Sequence, residues 1–300
     1  MSQLHLDHRK GLLITGLGGL ILSADIPLLR LGEGETWSTL LLRSGTTFIS
    51  AFVIWAVWSL ATGRARTIVP GRVGFLVAGL YGLASICFMI AVYNTKTANL
   101  VFILAFNTVF SALLSWVFLK ERPKTVTFIA MFFMLIGVGI IVREGLSSGH
   151  VFGDLVALLS TFILSTAITV SRSSGKDMGF AAIIGTILPL IVAAFMVSQN
   201  GYTVAVPGWI IFNGAVVTTL AFLCLAAGPR FLSGPEVAMF YLLETVLTPI
   251  WVWLVFAERP SDPTLVGGII IIASLVGHSL WQMYHVRKRS RMAGLVRHPI

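Results

Sequence analysis

The sequence predicts an all-α polytopic membrane protein with ten transmembrane helices arranged as two inverted five-helix repeats. Three observations lead there: an apolar composition, a series of apolar runs of spanning length, and an internal duplication. Hydrophobic residues make up 56% of the chain and charged residues 11%, with a mean hydropathy of +0.91. A soluble domain's surface cannot carry that composition, so lipid is the solvent for most of the chain. A spanning helix needs about 20 apolar residues, which leaves room for about ten crossings and short loops.

In chain order the expected spans are Gly11 to Leu31, Thr36 to Leu60, Gly71 to Val92, Thr97 to Leu119, Thr125 to Val142, Phe152 to Ser171, Met178 to Val197, Pro207 to Ala227, Ser233 to Phe256 and Thr264 to Tyr284. The first run is long enough to span and lacks a small-residue cleavage site, so it reads as a retained helix. With the N-terminus inside, sixteen Lys and Arg residues gather on the cytoplasmic side and four (Arg30, Lys96, Arg143, Arg259) on the other. That asymmetry predicts two cytoplasmic termini and accounts for most of the net charge of +9, so nucleic acid is not an expected partner. Cys87 and Cys224 sit mid-span as small packing residues.

The duplication is read by sliding Asn99–Pro123 (NLVFILAFNTVFSALLSWVFLKERP) onto Glu236–Pro260 (EVAMFYLLETVLTPIWVWLVFAERP), an offset of 137. Asn107 then falls on Glu244, Trp116 on Trp253, and Glu121, Arg122 and Pro123 on Glu258, Arg259 and Pro260. At an offset of 142, Gly11, Ser23, Ile26 and Arg30 match Gly153, Ser165, Ile168 and Arg172. Residues 1–145 are thus a first repeat and 146–286 a second, joined by a loop at Arg143–His150, with a basic, disordered cytoplasmic tail at 287–300. Five spans per copy is an odd number, so the second copy enters the membrane from the opposite face. Inverted repeats are a transporter architecture, because exchanging the conformations of the halves exposes a central site to either side in turn.

The helix, KERP-type turn and glycine-bearing span at Thr97–Val142, repeated at Gly234–Tyr284, resemble the EamA-type ten-helix branch of the drug/metabolite transporter superfamily. The resemblance implies a central cavity lined by helices 1 to 4 and 6 to 9, with helices 5 and 10 at the periphery, where a homodimer could form. It also implies export or exchange of amino acids, related amines or other metabolites across the bacterial inner membrane, with aromatic amino acid exporters as the nearest functional type.

Three ionisable residues stand well inside spans, where charge is costly and usually functional. Asp25 and Arg43 each lie nine positions from Gly34, the centre of a hairpin, so on antiparallel helices they reach equal depth and pair. The pair is read either as a gate or zwitterion clamp, or as a structural ion pair that fixes helix register. Glu244 lies mid-span with Thr248 at i+4, and Asn107 and Ser111 repeat that polar spacing in the other copy. It is expected to carry a proton or to neutralise a substrate ammonium, the alternative being a protonated structural acid. Asn107, Tyr81, Ser85, Tyr241, Thr248 and Trp251 complete the expected substrate pocket, with Ser160, Ser165 and Thr169 as wall or helix glue. Pro27, Pro189 and Pro249 are candidate kinks, and His278 is read as packing or a subunit contact.

No histidine spacing fits a closed metal site, and no Walker A loop is present, so neither a cofactor nor ATP is expected. The functional expectation is a secondary transporter working by alternating access, most simply an exporter of amino acids or small amines, with protons as a possible co-substrate. Uptake of a cationic or quaternary amine is the alternative within transport. A membrane enzyme or a non-transporting sensor is the alternative class.

Overall fold

A computed structural model describes residues 2–63, 71–120, 122–174, 184–227 and 234–296. Glu121 and the basic residues Arg64, Arg66, Lys176, Arg230 and Arg297 of the charge count lie outside them. The described chain is helical nearly throughout, and its only isolated bridge joins Gly34 to Val204. Eight helical stretches are long and apolar enough to cross a membrane: Arg9–Leu31, Thr36–Ala61, Gly71–Asn94, Thr97–Leu119, Thr125–Glu144, Val151–Ser173, Pro207–Leu225 and Asp262–His285. Two shorter apolar helices, Ile187–Asn200 and Leu243–Phe256, accompany them. The protein is a multi-pass membrane protein made of helices, the form in which a lipid-embedded backbone satisfies its own polar groups.

The first half contains α1 (Ser2–Leu22), α2 (Asp25–Leu31), α3 (Thr36–Thr62), α4 (Gly71–Asn94), α5 (Thr97–Leu104), α6 (Asn107–Leu119) and α7 (Thr125–Ser148). The second contains α8 (Val151–Ser173), α9 (Ile187–Asn200), α10 (Pro207–Phe212), a π-turn (Asn213–Thr218), α11 (Thr219–Ala227), α12 (Gly234–Phe256) and α13 (Asp262–Val296). Two expected spans are therefore broken, at Ser23–Ala24 and at Ala105–Phe106, and a third is wound as a π-turn midway.

Pro27 follows the Ser23–Ala24 break and stands in the first turn of α2: it has no N–H for the Ser23 carbonyl four residues earlier, so this candidate kink coincides with an interruption of the first span. Pro189 likewise stands in the first turn of α9, just after a turn at Thr186. Among the described residues Pro249 alone is interior to its helix. The Arg143–His150 loop is corrected, because α7 runs on to Ser148, and so is the disordered tail as far as Val296, where α13 ends; residues 297–300 lie outside the described residues. Extending an existing helix needs no new nucleus, and these polar segments contain good helix formers.

The duplicated turn is built twice in the same way. Lys120 (φ 56°) and Ala257 (φ 53°) stand immediately before the two ERP sequences in the left-handed conformation that closes a helix. The proline three positions later prevents the helix from resuming.

Helix pairing follows the duplication. α4 packs along α8, and α1 packs along α11, its counterpart pair when the halves are exchanged. α8 against α5 and α6 likewise mirrors α1 against α12. The equivalent helices α7 and α13 meet each other. A Cβ on Gly137 would lie 2.7 Å from the Gly267 carbonyl, and one on Gly267 would lie 2.7 Å from that of Gly137. Nearby, Thr127 Oγ1 and His278 Nε2 are 2.9 Å apart. Residue numbers that rise along one helix and fall along the other mean that the two run antiparallel. His278 is thus a packing residue within the chain.

Backbone contact at Gly137 leaves no room for a side chain. Gly137→Leu is expected to lower stability by about 1–3 kcal/mol through overpacking. Gly139→Leu, at a position with open space around it, should be neutral. Thermal unfolding in detergent compares the two.

Candidate functional site

The break in the first span puts Asp25 at the head of α2, and α3 brings Arg43 to it. Arg43 Nη2 donates to both Asp25 carboxylate oxygens, at 3.0 and 2.8 Å, and both side chains are nearly buried. The equal-depth expectation holds. The break is secured from α12: Thr248 Oγ1 donates to the Ser23 carbonyl at 2.9 Å, and Trp251 Nε1 donates to Ser23 Oγ at 3.1 Å.

The π-turn supplies two residues that the sequence reading missed. Asn213 Nδ2 donates to the Asp25 carbonyl and to Oδ1, both at 2.9 Å, while its own Oδ1 accepts from Arg43 Nε at 3.3 Å. Thr218 Oγ1 donates to Asp25 Oδ1 at 3.1 Å. Asn213 and Thr218 are five residues apart, a spacing that an i to i+5 turn stacks on one face and an α-helix spreads to different faces. Gly214 lets this turn approach α3, for a Cβ there would lie 2.2 Å from Thr46 Oγ1 and 2.7 Å from the Arg43 carbonyl. Polar residues inside the Pro207–Ala227 span were the only signal for Asn213 and Thr218. The Arg43 guanidinium also sits over the Phe88 ring, 5.2 Å from its centroid.

Glu244 lies midway along α12, within the reach of the Asp25 and Arg43 charges. It makes no hydrogen bond among the described residues. Tyr241, one turn earlier, is in the electrostatic field of both Glu244 and Tyr81, which joins α12 to α4. Arg43, Tyr81, Ser85, Phe88 and Glu244 keep part of their surface accessible, and Tyr241 is exposed.

Other expected pocket residues have different employment. Thr248 is fully buried, with its hydroxyl given to the break in the first span, so it supports the site from behind and does not line it. Trp251 joins it there. Asn107 opens α6 at the second break, where Ser165 of α8 hydrogen-bonds its side-chain oxygen and, at 3.3 Å, its carbonyl, and Ser111 reaches the same side-chain oxygen at 3.5 Å. Ser165 is the counterpart of Ser23, so each half uses the same serine to fasten a break. Ser160 donates to the Ala84 carbonyl at 2.8 Å and so joins α8 to α4, whereas Thr169 donates to the Ser165 carbonyl at 2.8 Å, one turn back in its own helix.

The end of the bundle nearest α2 is closed by paired hairpins. Glu35 N–H donates to the Thr203 carbonyl at 3.0 Å and Val206 N–H to that of Gly32 at 3.0 Å, and Thr203 N–H donates to Ser38 Oγ at 3.0 Å. Arg30 pairs with Glu258, from the second ERP turn, and lies over the Phe256 ring at 5.6 Å. Among the described residues no group of three or more His, Cys, Asp or Glu could hold a metal ion.

The family model described as the EamA-like transporter family matches residues 9–143 and again 151–280. Human solute carrier family 35 member G1 is 23% identical over 243 residues, 72% of this chain and 65% of that protein, so the chain spans less than two thirds of that relative's length. The pseudopaline exporter CntI of Pseudomonas aeruginosa is 22% identical over 209 residues, 68% of this chain and 74% of that protein. One crystal structure of a protein superposes with a TM-score of 0.64 at 18% identity, covering 91% of this chain and 98% of that one, a likeness of fold.

Removing one side of a buried hydrogen bond strands the other, so Asn213→Ala and Thr218→Val should each cost about 1–3 kcal/mol. Arg43→Gln leaves a buried carboxylate unpaired and should cost about 3–5 kcal/mol. The double variant Asp25→Asn/Arg43→Gln should cost clearly less than the sum of its singles. Thermal unfolding of the four variants and the Asp25→Asn single provides the comparison.

Proposed function

The chain belongs to the EamA-like transporter family, and from that premise we propose that it is a secondary transporter that exports amino acids or related small amines by alternating access. The relatives it matches are transporters, so the enzyme reading falls away. The observation that carries the proposal is the charge arrangement at the site. Asp25 and Arg43 cancel each other inside a closed hydrogen-bond network. Glu244 stands beside them with no hydrogen bond of its own among the described residues.

A site with one unbalanced carboxylate attracts one positive group, either an ammonium or a proton. Arg43 uses Nε for Asn213 and Nη2 for Asp25, which leaves Nη1 to receive a substrate carboxylate. A zwitterion can then lie with its carboxylate on Arg43 and its ammonium on Glu244, between the aromatic faces of Phe88, Tyr81 and Tyr241. The acid-plus-aromatic face of α12 also suits a cationic amine without a carboxylate, and gradients set whether such a substrate enters or leaves.

Ten transmembrane helices in two inverted five-helix repeats are the architecture this reading uses. The antiparallel contact of the equivalent helices α7 and α13, and the exchange of helix pairs between halves, support it. The sixteen-to-four distribution of Lys and Arg supports two cytoplasmic termini, and the family resemblance supports insertion in a bacterial inner membrane. A homodimer would use the outward apolar faces of α7 and α13, which carry the exposed Phe132, Phe133, Val266 and Ile269.

Counterflow in proteoliposomes preloaded with mixed amino acids and amines tests the proposal, with wild type and Glu244→Gln compared across pH. Wild type is expected to exchange at least one zwitterionic or cationic amine. Glu244→Gln should lose either that exchange or its pH dependence. A substituted protein that transports like wild type at every pH removes Glu244 from the mechanism.

A further inference from the structure

A gate has to part on every cycle, and the Asp25–Arg43 pair is poorly suited to that. Both side chains are nearly buried, and Asn213 and Thr218 also bond the Asp25 carboxylate, so separation would strand charge in an apolar interior. Arg30 and Glu258 form a different kind of ion pair. Their side chains keep 28% and 30% of their surface exposed. Water can take up both charges when such a pair opens, so it holds weakly and separates readily.

Arg30 stands in the last turn of α2, in the first half, and Glu258 follows α12, in the second. The Phe256 ring lies against the guanidinium at 5.6 Å. On its other side the α2 end is tied to residues 203–206 by backbone hydrogen bonds: Glu35 N–H to the Thr203 carbonyl at 3.0 Å, Ala205 N–H to that of Glu33 at 3.3 Å, and Val206 N–H to that of Gly32 at 3.0 Å. The seam toward α12 is held at this level by side chains, so it can part while the other stays shut.

The duplication supplies a counterpart. Arg172, which matches Arg30 at the offset of 142, stands in the last turn of α8 and donates Nη1 to Ser115 Oγ at 3.3 Å. Ser115 belongs to α6, which matches α12 at the offset of 137. Each arginine thus crosses from its own half to the equivalent helix of the other.

The two crossings lie at opposite ends of the bundle. α4 and α8 run antiparallel: Asn94 packs on Gly153, Ala84 accepts from Ser160, and Val170 packs on Val77. The Arg30 charge acts on Tyr93, at one end of α4, and Arg172 stands two residues beyond Val170, toward the other end. Val77 and Tyr93 are sixteen residues apart, about 24 Å along a helix. Tyr81, Ser85 and Phe88 lie between those two levels.

We propose that Arg30 and Arg172 are paired latches of the central site, one at each end, and that Arg30 leaves Glu258 when the site opens at the α2 end. The proposal rests on the alternating-access reading of the Glu244 site. Inverted repeats give the two latches opposite effects on which face is open.

The test uses the full-length protein with Cys87→Ala, Cys224→Ala and Tyr241→Cys, sealed in vesicles of known orientation. The initial rate of labelling by a membrane-impermeant thiol reagent is read from each face. Arg30→Gln should raise the rate from the face at which α2 ends, relative to the other face, by about two- to fivefold, the change that one partly exposed ion pair makes in a two-state equilibrium. Glu258→Gln should shift the ratio the same way, and the charge exchange Arg30→Glu/Glu258→Arg should return it to the starting value. Arg172→Gln should shift it in the opposite direction. If Arg30→Gln does not fold, Glu258→Gln takes its place. A ratio that neither Arg30→Gln nor Glu258→Gln moves overturns the latches and leaves the transport reading standing, as does an Arg172→Gln shift in the same direction as theirs. Labelling of the starting protein from neither face overturns the transport reading and the latches with it.

Discussion

Arg43 and Asp25 meet inside apolar helices, where a charged pair is stable only if every remaining donor and acceptor is also satisfied. That requirement reaches outward through the molecule. Asp25 can face Arg43 because the first span breaks just before it, and the break holds because Thr248 and Trp251 of α12 supply hydrogen bonds to Ser23. Asn213 and Thr218 can both reach Asp25 because their helix is wound as a π-turn, and the π-turn fits because position 214 is glycine. Four helical elements from both halves are thus committed to one ion pair.

The duplication gives this arrangement a partner. Ser23 faces α12 and Ser165 faces α6, so the same serine marks the contact between the halves' equivalent helices. The break sits on opposite members of the two contacts. In one, the serine-bearing helix is interrupted and its neighbour α12 is continuous. In the other, α8 is continuous and its neighbour is interrupted at Ala105–Phe106. Two matched segments that share only scattered identical residues have settled into two conformations, the kind of inequality that an exchange between states can use. Charge falls unequally as well, with Asn107 in one copy where the other has Glu244.

Much of this was written in the sequence, and the parts that were not have physical reasons. Apolar run lengths and the 137-residue offset give the helices and their pairing, because both follow from period and composition. The Asp25–Arg43 pair was legible from equal distance to Gly34, since antiparallel neighbours share depth. The first break was marked by Pro27, which cannot donate to the Ser23 carbonyl four residues earlier; the second was not, for no proline or glycine stands at Ala105–Phe106 and it is held by a side chain remote in sequence. The π-turn has no local signature, and the positions that match Asn213 and Thr218 in the first copy are Leu76 and Tyr81, so the duplication gave no help. Thr248 shares a helical face with Glu244, which made it look like a pocket residue. Only the packed structure reveals that Ser23 takes its hydroxyl.

The central claim is that the space beside Glu244 opens to each side of the membrane in turn, and accessibility of Tyr241 tests it most directly. Tyr241→Cys would be placed in a background with Cys87→Ala and Cys224→Ala, and challenged with a membrane-impermeant thiol reagent from either face of sealed vesicles. The account predicts labelling from both faces, slowed from both by a transported amine. Labelling from neither face, or from one face only under all conditions, would contradict it.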